Sequence, residues 1–498
     1  MSRRPSSPDH DPIHAEPLLW QRSVWRMLPC WLVSALIHMV AILVLGVWML
    51  KVDERPGPLA LSAIVSEIRA EDEIDHLGAT LDLEDIQPAE MPIDTEPAPA
   101  DTALSNEIAA VESPQADLLA GPELSSLPSG KLEPGQVLAG RDPRLRGQLA
   151  LREGGTSETE AAVNRALVWL ARHQSPEGSW SLNHFNQAGD CAGRCGDPGV
   201  ESDTSGTALG LLPFLGAGQT HLRGEYTMVV ARGLRWLIDH QGKDGDLRGR
   251  GRGNMYAHGQ AAIALCEAYA LTQADNLRQP AQKSIDFIVA AQHDEGGWRY
   301  QPKEPGDLSV VGWQLMALRS AQMAYLKIPA ETLTRTNRFL NSVQTSPSSG
   351  QYCYMPGGHP SETMTAEGLL CRQYSGWRHN HPALNKGVQG LLINHLPKSG
   401  RVNMYYWYYG TQVMHHMGGD AWQKWNGALR DMLVAMQERT GHQDGSWTPQ
   451  SAHDPQGGRL YMTSLATLTL EVYYRHLPLY RGVAADHEPA AKSRKRKP

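Results

Sequence analysis

The chain has 498 residues, of which 41% are hydrophobic and 20% charged, with a formal net charge of −7. That length and apolar content suit one large folded domain with appendages, and the negative balance excludes a nucleic-acid partner held by bulk electrostatics. Trp (14) and Tyr (16) far outnumber Phe (4), which favours side chains that join apolar area to a polar edge, as cavity walls and wet turns require.

Residues 31–50 read WLVSALIHMVAILVLGVWML, without Asp, Glu, Lys or Arg. Twenty residues at ~1.5 Å each just cross a ~30 Å hydrocarbon core, so a transmembrane helix in contact with the lipid bilayer is expected there. Arg22 and Arg26 precede it, which predicts a cytoplasmic segment over residues 1–30 and an extracytoplasmic (periplasmic) remainder, anchored in a bacterial-type cell membrane. A cleaved signal peptide is the competing reading, against which stand the long apolar run and the lack of a clear A-x-A site. Residues 51–157 follow as an acidic, Pro/Ala-rich stretch with too little apolar density for a core, read as a disordered linker. The basic tail, residues 483–498, reads the same way.

From about Glu158 the pattern changes. Val163, Ala166, Leu167 and Leu170 recur at helical spacing, as do Leu429, Met432, Leu433 and Met436; each set makes one buried stripe. These amphipathic runs end in a recurring phrase: Gln174, Gly178, Trp180; Gln241, Gly245; Gln292, Gly296, Trp298; Gln344, Gly350, Tyr352; a weaker copy from Asn394 to Gly400; and Gln437, Gly445, Trp447. After each phrase comes a second helix, rich in Ala, Gly and Leu on several faces, as an enclosed helix is. A unit repeated at this period implies a repeat architecture. Six amphipathic helices alternating with six enclosed ones close most naturally as two concentric rings, so the expected fold is an all-α (α/α)6 toroid over residues 158–482.

The Q-x3-G-x-W phrases between alternating helices resemble the QW repeat of the terpenoid-cyclase and protein-prenyltransferase superfamily, over about two thirds of the chain. In that reading Gln caps carbonyls at the end of its own outer helix, Gly permits the turn, and Trp fills the gap between helix pairs. The resemblance implies a central cavity, with an isoprenoid or another small molecule as ligand. The D-x-D-D-T-A acid motif of squalene-hopene-type cyclases has its nearest match at Asp203-Thr-Ser205-Gly206-Thr207-Ala208, where Ser205 and Gly206 replace two acids. The D-x-C of prenyltransferase zinc sites is not found, so no metal and no cofactor is expected. Cys191 and Cys195, a C-x3-C in a Gly-rich loop, suggest a local disulfide in an oxidising compartment or two free thiols; a metal site is disfavoured because no second Cys pair or spaced His pair accompanies them.

Polar residues gather at the starts of the enclosed helices. Asp203, Asp307, His258 and Glu367 are the candidate acids or bases; Ser205, Tyr256, Ser309, Trp313, Tyr406, Tyr408 and Tyr461 are the candidate ligand contacts. Asp and Ser there also serve as N-caps, so each has a structural role open to it. Toroid geometry would bring these groups to one mouth. Three functions remain open: an isoprenoid-handling barrel without the cyclase acid, a non-catalytic scaffold, and a glycan-acting (α/α)6 enzyme.

Overall fold

The computed structural model describes residues 136–476 and residue 479, apart from 190, 250–253 and 451–453. Residues 1–135, including the 31–50 span and most of the expected linker, and the tail 483–498 lie outside the described residues.

Fourteen α-helices occur among the described residues. Helix α1 (Pro143–Arg152) starts from Asp142, whose carboxylate accepts from Arg144 N, with Pro at the first position. Helix α2 (Ser157–Arg172) opens on a capping box between Thr156 and Thr159. Then inner and outer helices alternate: α3 (Asp203–Gly216), α4 (Thr227–Asp239), α5 (Met255–Thr272), α6 (Asp275–Ala291), α7 (Leu308–Met323), α8 (Ala330–Ser342), α9 (Glu362–Tyr374), α10 (Pro382–Asn394), α11 (Met404–Met417), α12 (Gly419–Ala435) and α13 (Asp454–Leu470), followed by the short α14 (Val472–Arg475). The outer helices bury one stripe; α4 buries Val230, Gly233, Leu234 and Leu237. The inner ones are enclosed on all sides: every residue of α11 is buried.

The inner helices pack in the order α3, α5, α7, α9, α11, α13, and α13 returns to α3, a closed ring of six. Outer helices α4, α6, α10 and α12 lie against the inner helix before them, and α8 against α9. The sixth outer position belongs to α2, the first helix of the repeat region, which packs on α13 and so closes the ring end to end. The expected (α/α)6 toroid is therefore present.

The repeated phrases are staples between neighbouring repeats, which corrects the expected role of Gln. Gln292 Nε2 donates to Gly296 O in its own turn (2.8 Å) and to Thr332 O of the next outer helix (3.0 Å). Gln174 does the same to Gly178 O and Val229 O (2.8 and 2.9 Å). Gln437 bridges Gly445 O (2.9 Å) and Ala162 O of α2 (2.8 Å), so the last staple ties the last repeat to the first. The Trp rings are pinned too: Trp180, Trp298 and Trp447 each donate Nε1–H to a carbonyl of the preceding outer helix, at 2.7–2.9 Å.

Two expectations are corrected. Residues 136–157 are part of the fold: Gln136–Arg141 forms a 3-10 turn, α1 follows, and both pack against α14. The segment docks through the fully buried Arg141 together with Leu138, Leu149 and Ala150, too few apolar residues for local density to mark it. The expected cell-membrane, periplasmic location is corrected as well. Among the described residues no helix is long and apolar enough to cross a membrane, and the enclosed helices owe their apolar faces to protein neighbours.

Candidate functional site

The N-terminal ends of the inner helices share one end of the barrel, and there many candidate groups are engaged by the fold itself. Asp307 is the N-cap of α7 and accepts from Val310 N (3.0 Å) and from Ser309 Oγ (3.3 Å). The Tyr256 hydroxyl meets Ser309 Oγ at 2.5 Å. Glu367 accepts from Tyr405 OH at 3.1 and 3.2 Å, and a Cβ at Gly312 would strike its carboxylate, so α7 leaves room for this acid. Burial pushes the Asp307 carboxyl well above the usual carboxylate range, with the Val310 N–H and the Arg299 guanidinium pulling the other way. Tyr256, Ser309 and Asp307 thus form one buried hydrogen-bonded cluster between α5 and α7, and Glu367 of α9 lies against α7 at Gly312. Trp313 stacks on Tyr408 deeper in the barrel, centroids 5.9 Å apart.

The remaining candidates lie apart. Ser202, not Asp203, caps α3, accepting from Ser205 N; Ser205 is buried behind it. Asp203 is exposed and borders an open cleft of about 270 Å³ with His173, Trp180 and His184. Gly206 stands where a cyclase acid would be because a Cβ there would meet Trp180 O at 2.5 Å. Tyr406 OH donates to His395 O (2.8 Å), away from the ring of polar groups. Tyr461 is half-buried and faces Gly457.

His258 has both nitrogens committed. Nδ1 accepts from Leu247 N (3.0 Å) and Nε2 donates to Ser284 O (2.9 Å). Burial lowers its pKa to about 4, the Ser284 carbonyl opposing. In the unfolded chain imidazole titrates near about 6.5, so the folded state holds this proton more weakly. The resulting stability is complete above the unfolded value and fades as pH falls from about 6.5 to about 4, about 3 kcal/mol in full. Urea unfolding across that window should show a flatter pH dependence for His258→Gln than for the natural protein; equal slopes would refute the assignment.

The opposite end holds a polar cluster that sequence reasoning missed. Glu267, on α5, is bracketed by Arg141 Nη1 (2.7 Å) and Arg475 Nη2 (3.3 Å). Arg475 Nη1 also donates to Tyr408 OH (3.3 Å), and Tyr374 OH donates to Gln412 Oε1 (3.2 Å). His416 lies edge-on to Tyr374 at 5.7 Å and faces His476 at 6.3 Å. Polar atoms without hydrogen-bond partners concentrate here: both ring nitrogens of His416, Nε2 of His476 and both carboxyl oxygens of Glu471. Buried polar groups are normally satisfied by protein or by something bound. Burial drives the Glu471 carboxyl well above its usual range, against the pull of Arg475, and His416 and His476 well below theirs.

Arg319 lies at the same end, near Tyr374. It lies deep in the barrel yet keeps accessible surface, as does Tyr374 beside it. Its one side-chain hydrogen bond is to Gln322 Oε1 (3.2 Å), and no carboxylate among the described residues pairs with it. Burial lowers its pKa, with only Tyr374 opposing, but a guanidinium stays charged. Arg141 and Arg475 flank the Glu267 carboxylate, whose pKa lies below its ordinary value: burial raises it, and the two guanidiniums more than offset that. The legible signal was that Arg319 is the only charged residue in α7 and Glu267 the only one in α5.

Of the two states left open for the C-x3-C loop, the structure has the free thiols. Cys191 and Cys195 are separate buried thiols, not a disulfide, and both sulfurs approach His173 and His442.

No protein family profile and no curated protein matches this chain. Among solved structures it is similar to an alpha-amylase from Clostridium perfringens, at 10% identity and a TM-score of 0.45, over 63% of this chain and 98% of that one. An inactive variant of the alpha-1,6-mannanase GH76A of Salegentibacter sp. HEL1_6, in complex with alpha-1,6-mannotetrose, matches at 11% identity and 0.45, over 64% and 99%. The type II terpene cyclase MstE from Scytonema matches at 16% and 0.42, over 64% and 98%. Likeness this slight assigns neither activity nor substrate. The described residues form an all-helical toroid, and membership of the squalene-cyclase family is not shown.

Proposed function

We propose that the toroid binds an anionic small molecule at the polar cluster between the C-terminal ends of its inner helices, with a phosphate or carboxylate head against Arg319. The observation that carries this is a deep guanidinium with accessible surface and no carboxylate. Buried charges are ordinarily paired, and the neighbouring orphaned His416, His476 and Glu471 are polar groups that a ligand or its water would satisfy. One turn above, Ile263, Met316 and Leu370 lie on the same helix faces as Glu267, Arg319 and Tyr374, which suits an apolar body. An isoprenoid phosphate has both parts.

Cation-initiated cyclisation has no acid at Ser205 or Gly206. A glycan-acting site would need paired carboxylates facing open space, whereas Asp307 and Glu367 are each engaged by their own neighbours. Binding is therefore the reading the geometry favours.

The test is Arg319→Met in the full chain. Calorimetric titration with inorganic diphosphate and with a prenyl diphosphate should show binding to the natural protein, weakened tenfold or more by the substitution. Without ligand the variant should be as stable as the natural protein or more so, because an apolar residue of similar volume replaces an unpaired buried charge. If neither probe binds, or the variant binds equally well, the scaffold reading stands instead.

A further inference from the structure

We propose that His173, Cys191, Cys195 and His442 form a structural zinc site that locks the ring where its first and last repeats meet. One ligand atom from each residue can be chosen so that all four lie within 4.8 Å of one another. Cys195 Sγ lies 3.2 Å from His173 Nε2 and 3.3 Å from His442 Nδ1. With Zn–S near 2.3 Å and Zn–N near 2.0 Å, the edges of a zinc tetrahedron run roughly 3.3–3.8 Å, so small adjustments seat the ion. Two thiolates and two imidazoles favour zinc among the available divalent metals, and four protein ligands leave no open position for substrate. On binding, both thiols lose their protons to solvent and the ion gains two Zn–S and two Zn–N bonds.

The histidines are set for this. His173 Nδ1 lies 2.7 Å from Trp169 O, to which it donates, leaving Nε2 as the lone-pair nitrogen that faces the sulfurs. Stacking on Trp169, centroids 4.1 Å apart, fixes the ring. The same local device recurs one repeat later without thiols: His240 stacks on Trp236 and bonds its carbonyl, but is exposed at the surface. The repeat thus explains how the His173 ring is held, while the two sulfurs facing its other nitrogen belong to the first repeat alone. The thiol loop is held independently: Gln443 Nε2 donates to Cys195 O (3.0 Å), Arg459 N to Asp197 O (2.9 Å), and the Arg459 guanidinium pairs with Asp197.

The ligands explain the purpose. His173 ends α2, Cys191 and Cys195 precede α3, and His442 follows α12. Cys195 and His442 are 247 positions apart. A cross-link over so long a loop removes much unfolded-state freedom, and it joins the repeats that Gln437 staples to Ala162. The site lies at the end of the barrel opposite the Arg319 cluster, so it stands or falls apart from the proposed function.

The experiment is elemental analysis of the full chain purified without chelator, with Cys195→Ser, His442→Ala and, as a control, Cys266→Ser. About one zinc per chain is expected in the natural protein and the control, with at least tenfold less in the other two. Chelator-stripped protein reloaded with cobalt(II) should show thiolate charge-transfer absorption, lost in Cys191→Ser; this reads the site even where a zinc-free variant folds poorly. A natural protein without metal whose intact mass is lower by two hydrogens, from a Cys191–Cys195 disulfide, overturns the proposal. So does a zinc content that the two ligand substitutions leave unchanged.

Discussion

Replacing Glu267 with leucine is expected to lower the unfolding free energy by about 3–5 kcal/mol. Glu267 is the one ionised carboxylate between the Arg141 and Arg475 guanidiniums, at 2.7 and 3.3 Å, and side-chain exposure is 2% or less for all three. Without it the Arg141 and Arg475 guanidiniums stay buried and lose the carboxylate that pairs with both. The pair of changes Arg141→Met with Glu267→Leu should cost less than the two single losses added, because each removes the other's unpaired charge. Glu267 also confers acid sensitivity. Its folded pKa is depressed, so its contribution is present above the ordinary carboxylate value and is lost as pH falls through the folded one. Urea denaturation followed by circular dichroism measures both effects; a loss below about 1 kcal/mol for Glu267→Leu, typical of exposed ion pairs, would contradict the network's role.

Gly296→Ala should cost about 2–5 kcal/mol. Gly296 has φ +102, and a Cβ there would stand 1.9 Å from Arg335 O on the next outer helix. The first fact carries the penalty of a left-handed backbone, the second forces α8 away from the turn. Gln292 then loses the spacing that lets it bridge Gly296 O and Thr332 O. Gly427→Ala in α12 is the matched control: it is exposed and its Cβ would meet nothing within 4 Å, so a helix-favouring residue there should leave stability unchanged or raise it by about 0.5–1 kcal/mol. Equal unfolding midpoints for both variants would show that the staples do not hold neighbouring repeats together.

The repeat unit was legible because it is local: Gln, Gly and Trp at fixed offsets, a striped helix before and an unstriped one after. The role of Gln was not, since Thr332 and Val229 are contacted from the preceding repeat and nothing near Gln292 or Gln174 in the chain names them. Asp307 as a cap was also legible, from its place before an apolar run. The partners of His258 were not legible, because Leu247 N and Ser284 O are backbone atoms on either side of α5.

Composition and periodicity by themselves determined the helix alternation, the count of repeats and the ring they imply, because burying a stripe per outer helix and enclosing each inner one has few other solutions. Only the tertiary structure decided what the ring encloses. An inner helix such as α5 or α7 is buried around nearly its whole surface, so no pattern reveals which residues point to the axis, and Glu267 and Arg319 acquire meaning from helices far away in sequence. The same holds for the thiols: Cys191 and Cys195 become a ligand set only because ring closure carries His442 back to His173, a long-range contact that no local spacing encodes.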